Sequence, residues 1–122
     1  MKTTERGWSG HFCCAERCRF RRNTLIEHGD IKIVVSTVGL MPKLDGKGWE
    51  TIGVDRHYET MAFHADYSDT RYHDADVSKQ ISFDSEWAIS EVDADDRANG
   101  MHDTAVKEIC KRLRKGEKFE VE

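Results

Sequence analysis

The chain has 122 residues, 38% hydrophobic and 34% charged, with one proline, which is the size of a single domain with a modest core. No apolar run reaches the length of a membrane-spanning helix, and the apolar residues fall in periodic segments that a disordered chain lacks. The net charge of −4 is unevenly spread: residues 1–48 carry +4, residues 49–106 carry −10 and residues 107–122 carry +2.

Residues 1–10 are polar, with Gly7 and Gly10 flanking Trp8, and are expected to form a flexible arm without a secretory h-region. That would place the chain in a reducing cytosol, where Cys13, Cys14, Cys18 and Cys110 would stay as thiols or bind metal rather than pair. Residues 19–28 alternate as a strand, with Phe20, Arg22, Thr24 and Ile26 on one face and Arg19, Arg21, Asn23, Leu25 and Glu27 on the other. Gly29-Asp30 is a two-residue turn of the type II′ pattern, and residues 31–38 are the returning strand. This hairpin sets Ile26 opposite Ile33 and Glu27 opposite Lys32.

Residues 39–48 form a loop. Residues 51–65 hold a third strand, broken near Asp55 and clearest over 58–65, with Met61, Phe63 and Ala65 on one face. Residues 66–76 are an acidic loop. Val77, Lys79, Ile81 and Phe83 alternate as a fourth strand, and Trp87 with Ile89 suggests a short extension or fifth. Residues 91–100 are an acidic loop in which Asp93 could cap a short helical turn. Ala105, Val106, Ile109, Cys110 and Leu113 then mark one apolar stripe of a C-terminal helix, with Asp103 as N-cap, cations in its last turns and Gly116 after its end. Residues 117–122 are a tail. The expected fold is α+β: a small antiparallel sheet of about four strands with one amphipathic helix packed on it, in a single domain, 1–122.

Three sets of residues could carry chemistry. His11, Cys14 and Cys18 have spacing suited to zinc, with His28 or His102 as a fourth ligand. Asp55, His57 and Glu59 would share one face of an extended strand, as two carboxylates and an imidazole for a metal-dependent enzyme. Arg17, Arg19 and Arg21 share a face, with Arg22 on the other, as a basic patch that could grip phosphates or pair with the chain's own acids. No phosphate-binding glycine loop, nucleophile elbow or zinc-protease helix is present, so catalysis lacks a motif.

The acidic middle, residues 49–106, is either a set of solvated loops that keep a small domain soluble or a binding surface. It disfavours nucleic acid and favours a basic groove on another protein, with Asp66, Asp69, Asp74, Asp76, Asp93, Asp95 and Asp96 as charged contacts and Trp49, Tyr67, Tyr72 and Trp87 as anchors. A bare sheet edge could also pair two copies into a homodimer.

Trp8-x-Gly10-His11-Phe12, Cys18-Arg19-Phe20-Arg21-Arg22-Asn23-Thr24-Leu25-Ile26, Val35-Ser36-Thr37-Val38-Gly39 and Tyr58-Glu59-Thr60-Met61-Ala62-Phe63 together resemble a family of short proteins encoded in tailed-phage and prophage genomes. The resemblance runs from Trp8 through the C-terminal helix and brings no active-site residues. It implies a cytoplasmic accessory protein that binds, and inhibits, a host nucleic-acid-handling or defence protein, of the anti-CRISPR or anti-restriction type. The alternative is a zinc-stabilised nucleic-acid-binding module using His11, Cys14, Cys18 and the arginine strand; a more distant one is the small metal-dependent enzyme.

Overall fold

A computed structural model describes residues 1–12 and 15–119. The fold is α+β. An antiparallel sheet has the order β1 (Lys2–Arg6), β2 (Phe20–His28), β3 (Ile31–Gly39), β6 (Tyr58–Ala65) and β7 (Ala75–Ile81), and β8 (Ala88–Ile89) also pairs with β6. A separate two-stranded ribbon joins β4 (Met41–Pro42) to β5 (Trp49–Glu50), a 3-10 turn covers Ala15–Arg17, and α1 spans Asp95–Arg114. Among the described residues, no helix is long and apolar enough to cross a membrane.

The β2–β3 hairpin has the expected register, Ile26 opposite Ile33 and Glu27 opposite Lys32. Gly29 carries the positive φ, 59°, that this turn requires at its first position. Helix α1 covers the face bearing Ile26, Ile33, Val35, Ala62 and Ile81, packing Ala105, Ile109, Cys110 and Leu113 against them. Nearer its start, Ala98 and Met101 meet Phe20, Leu40, Tyr58 and Ile89. The second face of the sheet carries Leu25, Val34 and Ala65, and a further group of Cys18, Val38, Met41 and Ile52.

Three expectations change. The sheet has six strands, not about four, partly because Lys2–Arg6 is an edge strand rather than a flexible arm. Its charged residues hold it there: Glu5 accepts from Arg22 and Thr24, and Arg6 is buried against Asn23. Such a strand has too little apolar content to be visible as one. The helix begins at Asp95, eight residues before the predicted cap, so Asp103 lies mid-helix and the stretch 95–100 is not a loop. Its start has no side-chain cap of its own; the Tyr58 hydroxyl accepts the Ala94 N–H at 2.9 Å and donates to Asp95 Oδ1 at 2.7 Å. Finally, β7 does not alternate through its length. Between the pairs Ala65–Ala75 and Phe63–Gln80, residues 76–79 bulge opposite the single residue His64. The bulge flips the parity, so Ala75 packs on the second face while Ile81 packs under the helix.

Candidate interaction surface

The structure divides the acidic residues into two groups with different work. In the β6–β7 connection they build the loop. Asp66 Oδ1 accepts the Ser68 N–H at 2.9 Å and its hydroxyl at 2.6 Å, and Asp76 makes the same pair of bonds to Ser78. Asp69 accepts the backbone N–H groups of Tyr72 and Asp74, which hold its carboxyl below the usual range. Asp74 accepts the Trp8 indole N–H, and Arg6 donates to the carbonyls of Tyr72 and His73, tying the loop to the second face. Trp8 and Tyr72 meet edge to face at 5.8 Å, and the Tyr67 hydroxyl accepts the Lys32 N–H.

The segment 84–97 presents its charge outward. Asp84, Glu86, Glu91, Asp93, Asp95 and Asp96 are all exposed, against a single cation, Arg97, which pairs with Glu86 at 3.3 Å and Glu91 at 3.0 Å. Trp87 is 47% exposed and Val92 39% exposed among them, and residues 91–97 line an open recess of about 540 Å³. The segment is fixed to the core. Ile89 pairs with Tyr58, Trp87 O accepts the Thr60 N–H, and Glu108 accepts the N–H groups of Asp84 and Ser85. The two acidic groups lie at opposite ends of β6, which at about 3.3 Å per residue puts them roughly 23 Å apart along the strand. Trp49, the remaining predicted anchor, is half-buried under Arg19.

The four arginines do not converge. Arg17 sits in the 3-10 turn and donates to Pro42 O; Arg19 stacks over Trp49 at 5.0 Å; Arg21 reaches Glu16 O. Arg22, on the opposite face of β2, joins Glu5 and Asp103 and so ties the edge strand to the helix.

Of the predicted zinc ligands, Cys14 lies outside the described residues. Both ring nitrogens of His11 are engaged, Nδ1 with Ser36 Oγ at 2.8 Å and Nε2 with Glu59 Oε1 at 2.9 Å. Cys18 is buried, and burial pushes its thiol up to about 11. His102 is fully buried between Thr24 and Thr37. Asp55, His57 and Glu59 do not share a strand face, because β6 starts only at Tyr58. Asp55 adopts φ 56°, and His57 turns to the Ser90 carbonyl. Among the described residues, no three His, Cys, Asp or Glu side chains group to hold a metal ion.

Glu59 instead belongs to a cluster that no sequence pattern announced. It is 5% exposed; His11 binds one oxygen and Arg56 Nε donates to the other at 2.6 Å. Burial alone would raise its carboxyl, but the hydrogen bonds from His11 and Arg56 outweigh that and hold it below the usual range. Ser36 completes the set, accepting the Gly10 N–H at 3.0 Å. It is fully buried beneath Gly10, where a Cβ would lie 2.6 Å from Ser36 Cβ, so its hydroxyl orients His11 and is closed to substrate. The sheet brings Ser36 and Glu59 onto neighbouring strands, and the segments before β2 and β6 add positions 10, 11 and 56; the one signal for it was the alternation that puts Glu59, Met61 and Phe63 on a common face.

No protein-family model, curated protein or solved structure matches the chain.

Proposed function

We propose that this is a non-enzymatic binding protein that docks on a basic groove of a nucleic-acid-handling or defence protein of a bacterial host and inhibits it. The observation that carries the reading is the segment 84–97, which holds six exposed carboxylates, one arginine and exposed Trp87 on a backbone already pinned to the sheet and helix. The carboxylates supply fast, salt-sensitive encounter and Trp87 supplies a desolvated anchor. Pinning lowers the ordering cost of association. The phage and prophage resemblance supports an accessory role directed at host machinery. The loop 66–76 is secondary in this reading, because its carboxylates are spent on their own turn.

The test is capture of a bacterial lysate on immobilised protein at low salt, run beside the triple variant E91Q/D93N/D96N. A basic protein should be retained in stoichiometric amount by the parent chain, released by moderate salt and lost from the variant. Equal retention by both chains would refute the surface, and retention of nucleic acid alone would refute the partner class.

A further inference from the structure

Two clefts adjoin at the bulged edge of the sheet, one of them on the second face. One, of about 500 Å³, is lined by Phe12, Met61, Phe63 and Val77 over His11 and Glu59. The other, of about 300 Å³, lies between β6 and the 82–87 excursion and is lined by Arg56, Ile81, Phe83 and Trp87. Glu59, Met61 and Gln80 belong to both, so they form one groove. Its volume is that of a small-molecule site, and its walls mix these apolar side chains with polar His11, Arg56, Glu59, Thr60 and Gln80.

Arg56 is held on three sides. Its Nε donates to buried Glu59, its guanidinium lies 4.9 Å from the Trp87 ring centre, and Gly53 packs against it so closely that a Cβ there would fall 2.3 Å from Arg56 Cζ. One of five N–H donors is used on Glu59. A fixed guanidinium of this kind suits a planar oxyanion. Glu59 has both oxygens engaged and does not call for a cation. Its charge, with Asp84 and Glu86 on the flanking excursion, opposes a dianion such as a phosphate monoester.

We infer that the groove binds a small apolar monocarboxylate, its carboxylate on Arg56 and Gln80 and its hydrocarbon body over Met61, Phe63 and Val77. The inference does not rest on the proposed docking surface, although the groove shares Trp87 with it.

The experiment is NMR titration of the full chain, methyl-labelled at Met and Val, with hexanoate, octanoate and phenylacetate, and with octanol, octanamide and phenyl phosphate as controls. At least one carboxylate should shift the Met61 and Val77 methyls saturably while Met101, in the core beneath the helix, stays still. The matching alcohol and amide should bind about tenfold or more weakly, the scale of one charge-assisted hydrogen bond. R56Q, which keeps a donor for Glu59, should lose that preference. M61W, which fills the groove from a partly exposed position, should abolish binding with the fold intact. Equal binding of octanol and octanoate would overturn the inference, as would tighter binding of phenyl phosphate, unchanged binding by M61W, or no saturable shift with any of the three carboxylates.

Discussion

The buried His102 should make the protein acid-sensitive over a defined window. Glu5 can only accept, so Thr24 donates to it and must accept from His102 Nε2–H. With the imidazole neutral, His102 Nδ1 accepts from the Thr37 hydroxyl and Thr60 then donates to Thr37, 2.6 Å away. Burial favours that neutral imidazole. Burial, reinforced by the charge of Arg22, lowers its pKa from 6.5 to about 4. Between those values the unfolded chain binds the proton and the native chain does not, so stability rises with pH. The contribution is complete above pH 6.5 and is lost as pH falls toward 4. At about 1.4 kcal/mol per unit this amounts to about 3 kcal/mol in all, most of it lost by pH 4.5. Urea unfolding followed by tryptophan fluorescence between pH 7.5 and 4.5 measures it. H102Q should be less stable at pH 7.5, by about 1–3 kcal/mol for the disturbed bonds, but flatter with pH. If H102Q and the parent chain lose stability in parallel between pH 6.5 and 4.5, the neutral-imidazole network is wrong.

Two glycines should respond in opposite directions. A Cβ at Gly39 would fall 2.3 Å from the Tyr58 ring and 2.9 Å from the His57 carbonyl, so G39A should cost about 1–3 kcal/mol in thermal or urea unfolding. Gly100 lies exposed in α1 with nothing near its Cβ position, and G100A should gain up to about 1 kcal/mol. Cys18 and Cys110 are buried with raised pKa values, so mass spectrometry after iodoacetamide treatment at pH 8 should find both unmodified in the native protein and modified in urea. Truncating Glu59 to Ala removes the shared acceptor of His11 and Arg56 and should destabilise by on the order of 3 kcal/mol, again read in urea. Retention of parent stability would show that the cluster contributes nothing to the fold.

The sequence made the centre of the fold legible where side-chain period and turn chemistry agreed. Residues 20–39 alternate around a Gly-Asp turn, and every pair of that hairpin follows from the turn's position. Residues 58–65 were clear for the same reason. The helix was located by its stripe but not by its start, because its N-terminal groups are served by Tyr58, from a strand 36 residues earlier, rather than by a local cap. The edge strand β1 was hidden because its ladder with β2 and polar contacts such as Glu5–Arg22, not apolar burial, hold it. The bulge in β7 broke an alternation that looked regular. In the acidic middle, two aspartates each followed two residues later by serine, Asp66 with Ser68 and Asp76 with Ser78, carried a turn signal that charge counting passes over. The His11–Ser36–Glu59 cluster had no local signal, since its members converge through pairing across the sheet.

Trp87 connects the two surfaces. Its exposed ring stands within the acidic segment, while the same ring backs Arg56 in the groove. Removing it would weaken docking of a basic partner and loosen the guanidinium together, so its loss cannot assign an effect to either. Asp96 and Met61 separate them: Asp96 lies in the first turn of the helix and lines neither cleft, and Met61 lines both clefts without belonging to the acidic segment. A chain altered at Asp96 should bind octanoate as the parent does, and one altered at Met61 should keep its basic partner. The pinning of residues 84–89 by Tyr58, Thr60 and Glu108 makes this separation physical, because a side-chain change at either end leaves the intervening backbone bonds in place.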